Sequence, residues 1–327
     1  MSRRSIRALI VLGAVVAALA LALVLILVIP RMSGEDSDGN TVICSLNKID
    51  RLTFNHDEDV YTFENRDGTW VYTGREDWPV SQSRLNRLAS ALQGLTSSRV
   101  FKDGEALSSY GLDPAKYTLT ACENEKTVTL RFGNPCGDAE AYAVSTETDG
   151  ICVVSNTVPS YHLGYSILQM LDAGSSPGVT EADQASLVLT LGDRSVCFQQ
   201  EDGSWYLMTG SGEKFLEDDL AAVGPDGESH TLRKYLNDMG QALSSYRTST
   251  LAGYGCSAEE LASFGLDAPL RATFTAADGT ETIYLFGAET ADDTGAARSY
   301  LTLPDSPAVY LAGDASSLHL LVELFGE

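Results

Sequence analysis

The sequence predicts an α+β fold: an N-terminal transmembrane helix, then two tandem repeats of antiparallel sheet with one central and one closing helix each. Three observations lead to this prediction. One long apolar run lies near the N-terminus, short β-rich runs are joined by turn signals, and one set of motifs occurs twice in the same order. The chain has 327 residues, of which 44% are hydrophobic and 20% charged, so a mostly disordered protein is excluded.

The charge balance limits the classes of partner. The sequence contains 22 Lys and Arg residues against 45 Asp and Glu residues, and its formal net charge is −23. Such a surface repels phosphate backbones, so nucleic acid is excluded as a partner.

The apolar run at residues 8–29 contains only Ala, Val, Leu, Ile and one Gly. As a helix it would be about 33 Å long, the thickness of a bilayer core. Arg3, Arg4 and Arg7 precede it and Arg31 follows it, which places the N-terminus in the cytoplasm and the rest outside. A cleaved signal peptide is the alternative, but the run is long for one and residues 28–32 lack a small-x-small cleavage site. We therefore predict a single-pass protein of the cell membrane, with a cytoplasmic tip and anchor at 1–30 and a linker at 31–45.

The remainder of the chain contains an internal repeat. Six motifs recur in the same order, and the offset between the copies grows smoothly from 135 to 158 residues. Insertions in the second copy explain this drift, so we interpret the pattern as a duplication. The predicted boundaries are 46–172 for the first repeat, 173–184 for a Gly- and Pro-containing linker and 185–327 for the second repeat.

Local patterns place the elements of the first repeat. Two β-rich runs at 49–54 and 60–64 precede a hairpin signal at Asp67 and Gly68 and a third strand from Trp70. Ser81 is placed to cap a central helix, whose apolar positions recur at helical spacing: Leu85, Leu88, Leu92 and Leu95. Strands at 117–122, 127–132, 141–144 and 151–154 follow, and a closing helix is predicted over 159–171. The second repeat keeps this order, with an acidic insertion at 217–228 before a central helix at 231–243.

The order of these motifs resembles the bacterial domain-of-unknown-function family numbered 4340. In the first copy the residues that carry the resemblance, besides 78–80 and 151–154, are Trp70, Tyr110, Gly111, Leu112, Asp113, Pro114, Phe132 and Gly133. In the second copy, besides 309–312, they are Trp205, Phe264, Gly265, Leu266, Asp267, Pro269, Phe286 and Gly287. The second copy departs from the pattern where Ala268 separates Asp267 from Pro269. The resemblance implies a membrane helix followed by extracytoplasmic domains without an assigned activity and, for some members, genes beside ABC-type transporters.

The repeated motif residues are the candidate site residues, and we interpret them as structural. Gly111 permits the dihedral angles of a tight turn and Pro114 stiffens the exit from it. Trp70 and Trp205 follow hairpin turns and are expected to pack on the sheet. A recognition loop formed by residues 110–114 is the alternative.

No motif predicts catalysis, a metal site or a cofactor site. Residues 174–178 match the letters of a nucleophile elbow, but the elbow needs a strand before its serine and a helix after it. The four histidines are far apart in sequence and form no ligand pair: His56, His162, His230 and His319. Residues 36–40 resemble the start of a calcium loop, but Thr41 stands where glycine is required and Asn47 where glutamate is required. We therefore predict a protein that is not an enzyme.

The cysteines are even in number and lie in the predicted extracytoplasmic part: Cys44, Cys122, Cys136, Cys152, Cys197 and Cys256. The two copies do not share cysteine positions, and three of the cysteines lie in predicted strands where a small apolar residue is expected. Mostly free, buried thiols are the expected state, and one bridge from Cys122 to Cys136 is the alternative.

These inferences favour a membrane-anchored extracytoplasmic accessory or scaffold protein of a bacterial envelope complex, with an ABC-type permease as a possible protein partner. Recognition would use exposed sheet edges or the face between the copies. The alternative is an extracytoplasmic module that binds or senses a small molecule or cell-wall fragment in a cleft between the copies.

Overall fold

The structure, a computed structural model, describes residues 40–327 except 57, 103, 162, 225 and 226. The predicted transmembrane helix at 8–29, the acidic motif at 36–39 and His162 lie outside the described residues. Among the residues that are described, no helix combines the length and the apolar composition needed to cross a bilayer.

The described residues divide into two compact units. One contains the described residues up to Gly74 together with Ser83–Gly164, and the other contains Arg75–Gln82 together with Tyr165–Glu327. Each unit is described below by itself.

The first unit is built on an eight-stranded antiparallel sheet with the order β4-β3-β2-β7-β8-β9-β10-β6. A separate antiparallel pair is formed by β1 and β5. The strands are β1 Thr41–Cys44, β2 Arg51–His56, β3 Asp59–Arg66, β4 Thr69–Tyr72, β5 Leu95–Ser97, β6 Arg99–Phe101, β7 Tyr117–Glu123, β8 Lys126–Pro135, β9 Glu140–Ser145 and β10 Ile151–Ser155. The helices are α1 Gln82–Leu92 and α2 Thr157–Tyr161.

The second unit is built on a nine-stranded antiparallel sheet with the order β14-β13-β12-β11-β18-β19-β20-β21-β17, and β15 pairs with β16. The strands are β11 Gln184–Leu191, β12 Arg194–Glu201, β13 Ser204–Met208, β14 Lys214–Leu216, β15 Ala221–Val223, β16 Ser229–Thr231, β17 Leu251–Tyr254, β18 Leu270–Ala276, β19 Glu281–Ala291, β20 Ala297–Thr302 and β21 Ala308–Gly313. The helices are α3 Leu232–Ala242, α4 Ala258–Ser263 and α5 Ser316–Phe325.

The two large sheets have the same connectivity. Read from β4 to β6, the order of the first sheet matches the order of the second sheet from β13 to β17, and β14 is added at one edge of the second. Corresponding hairpins also have corresponding turns. Asp67 and Gly68 have φ of 53° and 90°, and Asp202 and Gly203 have φ of 49° and 78°. These left-handed conformations are those of the tight two-residue hairpin turn that an Asp-Gly pair predicts.

The predicted α+β class is wrong, because the described chain is mostly sheet, with 44% strand against 20% helix. The closing helix predicted over 159–171 is reduced to the five residues of α2 and a 3₁₀ turn at Leu168–Met170. Gly164 lies between the two, and glycine is a poor helix former. Part of the acidic insertion forms the β15–β16 hairpin, and β1 lies within the predicted linker at 31–45.

The two central helices are confirmed, with one change of boundary. In α1 the side chains of Leu85, Leu88 and Leu92 are fully buried, as their helical spacing predicts. The helix ends at Leu92 because Gly94 is in a left-handed conformation with φ of 66°, so Leu95 begins β5 instead of continuing the helix.

Each unit buries aromatic side chains against its own sheet. In the first unit the rings of Phe54 and Phe63 stack at 5.5 Å. In the second unit Tyr246 lies 4.8 Å from the ring of Phe286, and both residues are fully buried. Aromatic pairs at these distances add to the free energy gained from burial alone.

Candidate functional site

In the first unit, the repeated motif lies where a 3₁₀ turn meets the sheet. Residues Leu107–Tyr110 form the turn, and Gly111 ends it in the left-handed conformation with φ of 67°. The ring of Tyr110 packs edge-on against Tyr142 of β9 at 4.8 Å. Leu112 is fully buried, and the peptide bond between Asp113 and Pro114 is cis.

Gly133 of β8 lies directly beneath this turn. A Cβ built on Gly133 would lie less than 3.0 Å from the carbonyl oxygen of Tyr110. Only glycine leaves room for this approach of backbone to backbone. The neighbouring Arg131 donates to the carbonyl oxygen of Leu112 at 3.3 Å, which also holds the turn on β8.

The second unit has the same arrangement. Phe264 follows α4, and Gly265 has φ of 69°. The ring of Phe264 lies 4.6 Å from that of Tyr300 in β20. A Cβ on Gly287 would lie less than 3.0 Å from the carbonyl oxygen of Phe264, which accepts a hydrogen bond from Ala288 N at 2.7 Å. Leu266 is half-buried and lies beside Gly287, while Asp267 and Pro269 come just before β18.

The remaining motif residues also pack within their own units. Trp70 and Trp205 are 1% and 3% exposed. The indole of Trp70 donates to Asn86 Oδ1 at 2.9 Å, and that of Trp205 donates to Glu181 Oε1 at 3.1 Å. Phe132 and Phe286 are fully buried. The motif residues therefore make packing contacts and do not form a constellation of reactive groups.

The segment at 174–178 has no strand before its serine. Ser176 is 1% exposed, and its hydroxyl donates to the carbonyl oxygen of Tyr246 at 2.7 Å. Within the part of the chain that the structure describes, no three His, Cys, Asp or Glu side chains converge in a geometry that would hold a metal ion.

All six cysteines are free thiols. The alternative bridge is absent, and Cys122 Sγ instead lies 3.6 Å from Thr127 Oγ1 on the paired strand. Burial raises the pKa of the other five thiols: Cys44, Cys136, Cys152, Cys197 and Cys256. They are therefore protonated and weakly nucleophilic near neutral pH. The expectation of full burial holds for Cys152 but not for Cys122 and Cys197, which are half-buried in their strands.

One cavity of the second unit lies beside two of its helices, and we call it the α3–α5 cavity. Its volume is about 520 Å³. The lining side chains come mainly from α3, α5 and the segments beside them: His230, Lys234, Tyr235, Asp238, Ala242, Ser245, Glu289, Asp314, Ser316, Ser317, His319, Leu320 and Glu323. A cavity of this size accommodates a small organic molecule.

The α3–α5 cavity brings together two histidines that are far apart in sequence. His230 lies in β16 and packs edge-on against Tyr235 at 6.0 Å, whereas His319 is in α5. Burial lowers the pKa of His319, and the carboxylates of Glu289 and Asp314 act in the opposite direction. Sequence reasoning missed that both histidines line one cavity, because they are far apart in sequence and no local spacing relates them.

Asp314 has a structural role at the edge of the cavity. Its carboxylate accepts hydrogen bonds from Ser316 N at 2.9 Å and Ser316 Oγ at 2.8 Å, which forms a local turn just before α5. On the opposite wall Lys234 pairs with Asp238 at 3.0 Å, one turn along α3.

Comparison with known proteins gives a family match for part of the chain. No curated protein and no solved structure matches the chain. The matching segment begins at Trp70 and includes the 3₁₀ turn, Gly111 and Gly133 of the first unit, and it ends before Tyr165, where the long segment of the second unit begins. The resemblance inferred from the motifs is therefore supported for the first copy: residues 70–162 match the family described as Domain of unknown function (DUF4340).

Proposed function

We propose that this chain is a non-enzymatic accessory subunit of a bacterial envelope complex, held at the cell membrane by its apolar N-terminal segment. The observation that carries the proposal is that the motif residues serve packing and not chemistry. Trp70, Gly133 and their counterparts Trp205 and Gly287 are occupied in packing within their units. We therefore expect a partner to recognise the exposed surface of the chain and not the motif residues.

That surface is strongly acidic. With the three N-terminal arginines set aside, 19 basic residues remain against 45 acidic ones. Such a charge favours a basic protein surface as the partner and disfavours anionic lipid headgroups. The four strands at the edges of the large sheets, β4, β6, β14 and β17, contain only three or four residues each. Short edges limit the addition of a further strand, so we expect recognition through side chains.

The proposal includes a second, diverged copy of the family at 185–327. The shared strand order and the matching contacts of Gly133 and Gly287 support it. Two related units on one anchor would give a partner two docking surfaces, which raises the avidity of a weak contact. An ABC-type permease is the partner to test first, because some members of the resembling family are encoded beside such transporters.

Photo-cross-linking of the tagged full-length chain in its own membranes tests this proposal. We place the cross-linking residue at Val60 in one experiment and at Val223 in another, because these side chains are 64% and 62% exposed. The expected product is an adduct with a multi-span membrane protein. The control is the same chain without residues 8–29, which should lose the adduct. Recovery of the chain alone, from membranes in which other complexes stay intact, would overturn the proposal.

Binding of a small molecule is the second candidate function, and the α3–α5 cavity is the observation that favours it. A ligand that binds the folded chain raises its midpoint of thermal unfolding in proportion to RT ln(1 + [L]/Kd). The chemistry of the lining decides which ligand class to test.

A further inference from the structure

Another cavity of the second unit lies where the segment before β17 meets the turn from β19 to β20, and we call it the Arg247 cavity. Its volume is about 520 Å³. Four charged side chains line it, from Arg247, Asp292, Asp293 and Arg298, and Ala291 and Leu311 add apolar surface. A cavity of this size accommodates a small organic molecule.

Two of the four charges neutralise each other. Asp292 Oδ2 accepts hydrogen bonds from Arg298 at 2.9 Å and 2.7 Å. Asp292 Oδ1 also accepts from Ala296 N at 3.1 Å, which fixes the turn that carries Asp293. This leaves Arg247 and Asp293, which have opposite charges. Among the residues that the structure describes, neither of these two side chains has an ion pair or a hydrogen bond.

Arg247 is held in position although its charge has no partner. The backbone beside it is fixed by Ser176, whose hydroxyl accepts from Thr248 N at 2.8 Å and whose N–H donates to the Thr248 carbonyl oxygen at 2.7 Å. The Arg247 side chain lies against Gly178, where a Cβ would be only 3.1 Å from Arg247 Cδ. A side chain that is already positioned loses less conformational freedom when it binds a ligand, which favours binding.

Two positioned charges of opposite sign call for a ligand that carries both charges. A guanidinium group binds a carboxylate through two parallel hydrogen bonds, and a carboxylate accepts hydrogen bonds from an ammonium group. A simple anion would be repelled by Asp293, and a simple cation would be repelled by Arg247. The net charge of −23 also disfavours an anionic ligand, whereas a zwitterion has no net charge.

We propose that the Arg247 cavity binds a small amino acid as its zwitterion. Its carboxylate binds Arg247, its ammonium group binds Asp293, and its carbon chain lies against Ala291 and Leu311. This inference goes beyond the accessory role and does not use the α3–α5 cavity, so failure of the cross-linking experiment would leave it intact.

A saturation-transfer NMR titration of the full chain in non-ionic detergent tests the inference. The probes are glycine, β-alanine and γ-aminobutyric acid, in which the distance between the two charges increases. Butyrate and butylamine serve as half-ligands, because each carries only one of the charges. The expected result is saturable binding of at least one amino acid, tighter than that of either half-ligand by about tenfold, the contribution of one charge-assisted hydrogen bond.

Two substitutions separate the roles of the two charges. Arg247→Gln and Asp293→Asn should each weaken amino acid binding by about tenfold. Asp293→Asn should in addition strengthen the binding of butyrate, because it removes a repelling carboxylate. The matched control is Arg271→Gln, which changes an exposed arginine of β18 outside the cavity and should leave the amino acid affinity unchanged.

Three results would overturn the inference. Absence of binding by all three amino acids would show that the cavity does not take a zwitterion. Equal affinities for butyrate and for the best amino acid would show that Asp293 contributes nothing to recognition. Equal weakening by Arg247→Gln and Arg271→Gln would show that binding responds only to the overall charge of the chain.

Discussion

At the scale of single residues, Asp292 shows how one carboxylate organises a turn. It lies where β19 leads into β20, and its Oδ1 accepts hydrogen bonds from Thr294 Oγ1 at 2.5 Å, Thr294 N at 2.9 Å and Ala296 N at 3.1 Å. Its Oδ2 accepts from Arg298 Nε at 2.9 Å and from the terminal guanidinium nitrogen at 2.7 Å. The Thr294 hydroxyl and the Arg298 guanidinium hold the pKa of Asp292 well below its usual range.

This geometry predicts a specific dependence on pH. Because the pKa of Asp292 is lower in the folded chain than the value of about 3.9 in an unfolded one, its ionised form stabilises the fold above that value. The stabilisation is lost as the pH falls through the lowered pKa. Asp292→Asn should therefore lower the midpoint of thermal unfolding at pH 7, and the difference from the wild type should shrink as the pH falls below 4. The neighbouring Asp293→Asn is the control, and an equal effect from both substitutions would contradict the prediction.

At the scale of elements, one glycine in each sheet lets a turn lie against a strand. The carbonyl oxygens of Tyr110 and Phe264 approach Gly133 and Gly287 so closely that a Cβ would lie less than 3.0 Å away. The aromatic rings of the same two residues pack on tyrosines of β9 and β20. Each contact fixes the path of the chain between the central helix and the next hairpin.

Replacing either glycine by alanine should strongly destabilise its unit. The atom met by the new methyl group is a backbone oxygen, which cannot rotate away, so we expect a loss near the upper end of overpacking effects, about 3 kcal/mol. Denaturant unfolding of Gly133→Ala and Gly287→Ala measures this loss. Gly164→Ala is the matched control, because the nearest atom to its Cβ is 3.5 Å away. Similar stabilities for the control and the two variants would contradict the proposed contact.

At the scale of the whole molecule, the described chain is held together by packed sheets without covalent cross-links. All six cysteines are free, and Cys44 and Cys152 are fully buried. We therefore expect six thiols per chain to react in denaturant without a reductant, and the native chain to react slowly, because burial raises the pKa of most of them. Thiol titration with mass determination checks both statements. Four reactive thiols in the denatured chain would indicate one disulfide and would contradict the structure.

The sequence alone predicted the local elements of the described chain well. Strands at 49–54, 60–64, 117–122 and 127–132 correspond to β2, β3, β7 and β8. Alternation of apolar residues and Asp-Gly turns are local signals, and they act over a few residues. The spacing of Leu85, Leu88 and Leu92 likewise located the central helix and its buried face.

Tertiary structure decided what those signals do not encode. Strands β6 and β17 contain three or four residues each, and they join the sheets only by pairing with β10 and β21. Of the predicted closing helix of the first repeat, the structure contains only the short helix α2 and a 3₁₀ turn, and the fold is mostly β. The α3–α5 cavity forms only when β16, α3 and α5 meet, which brings His230 and His319 together although 89 positions separate them. Local sequence thus determined strands, turns and one helix face in each repeat. Long-range pairing and helix packing determined the edges of the sheets and the candidate binding site, because these depend on contacts between residues that are distant along the chain.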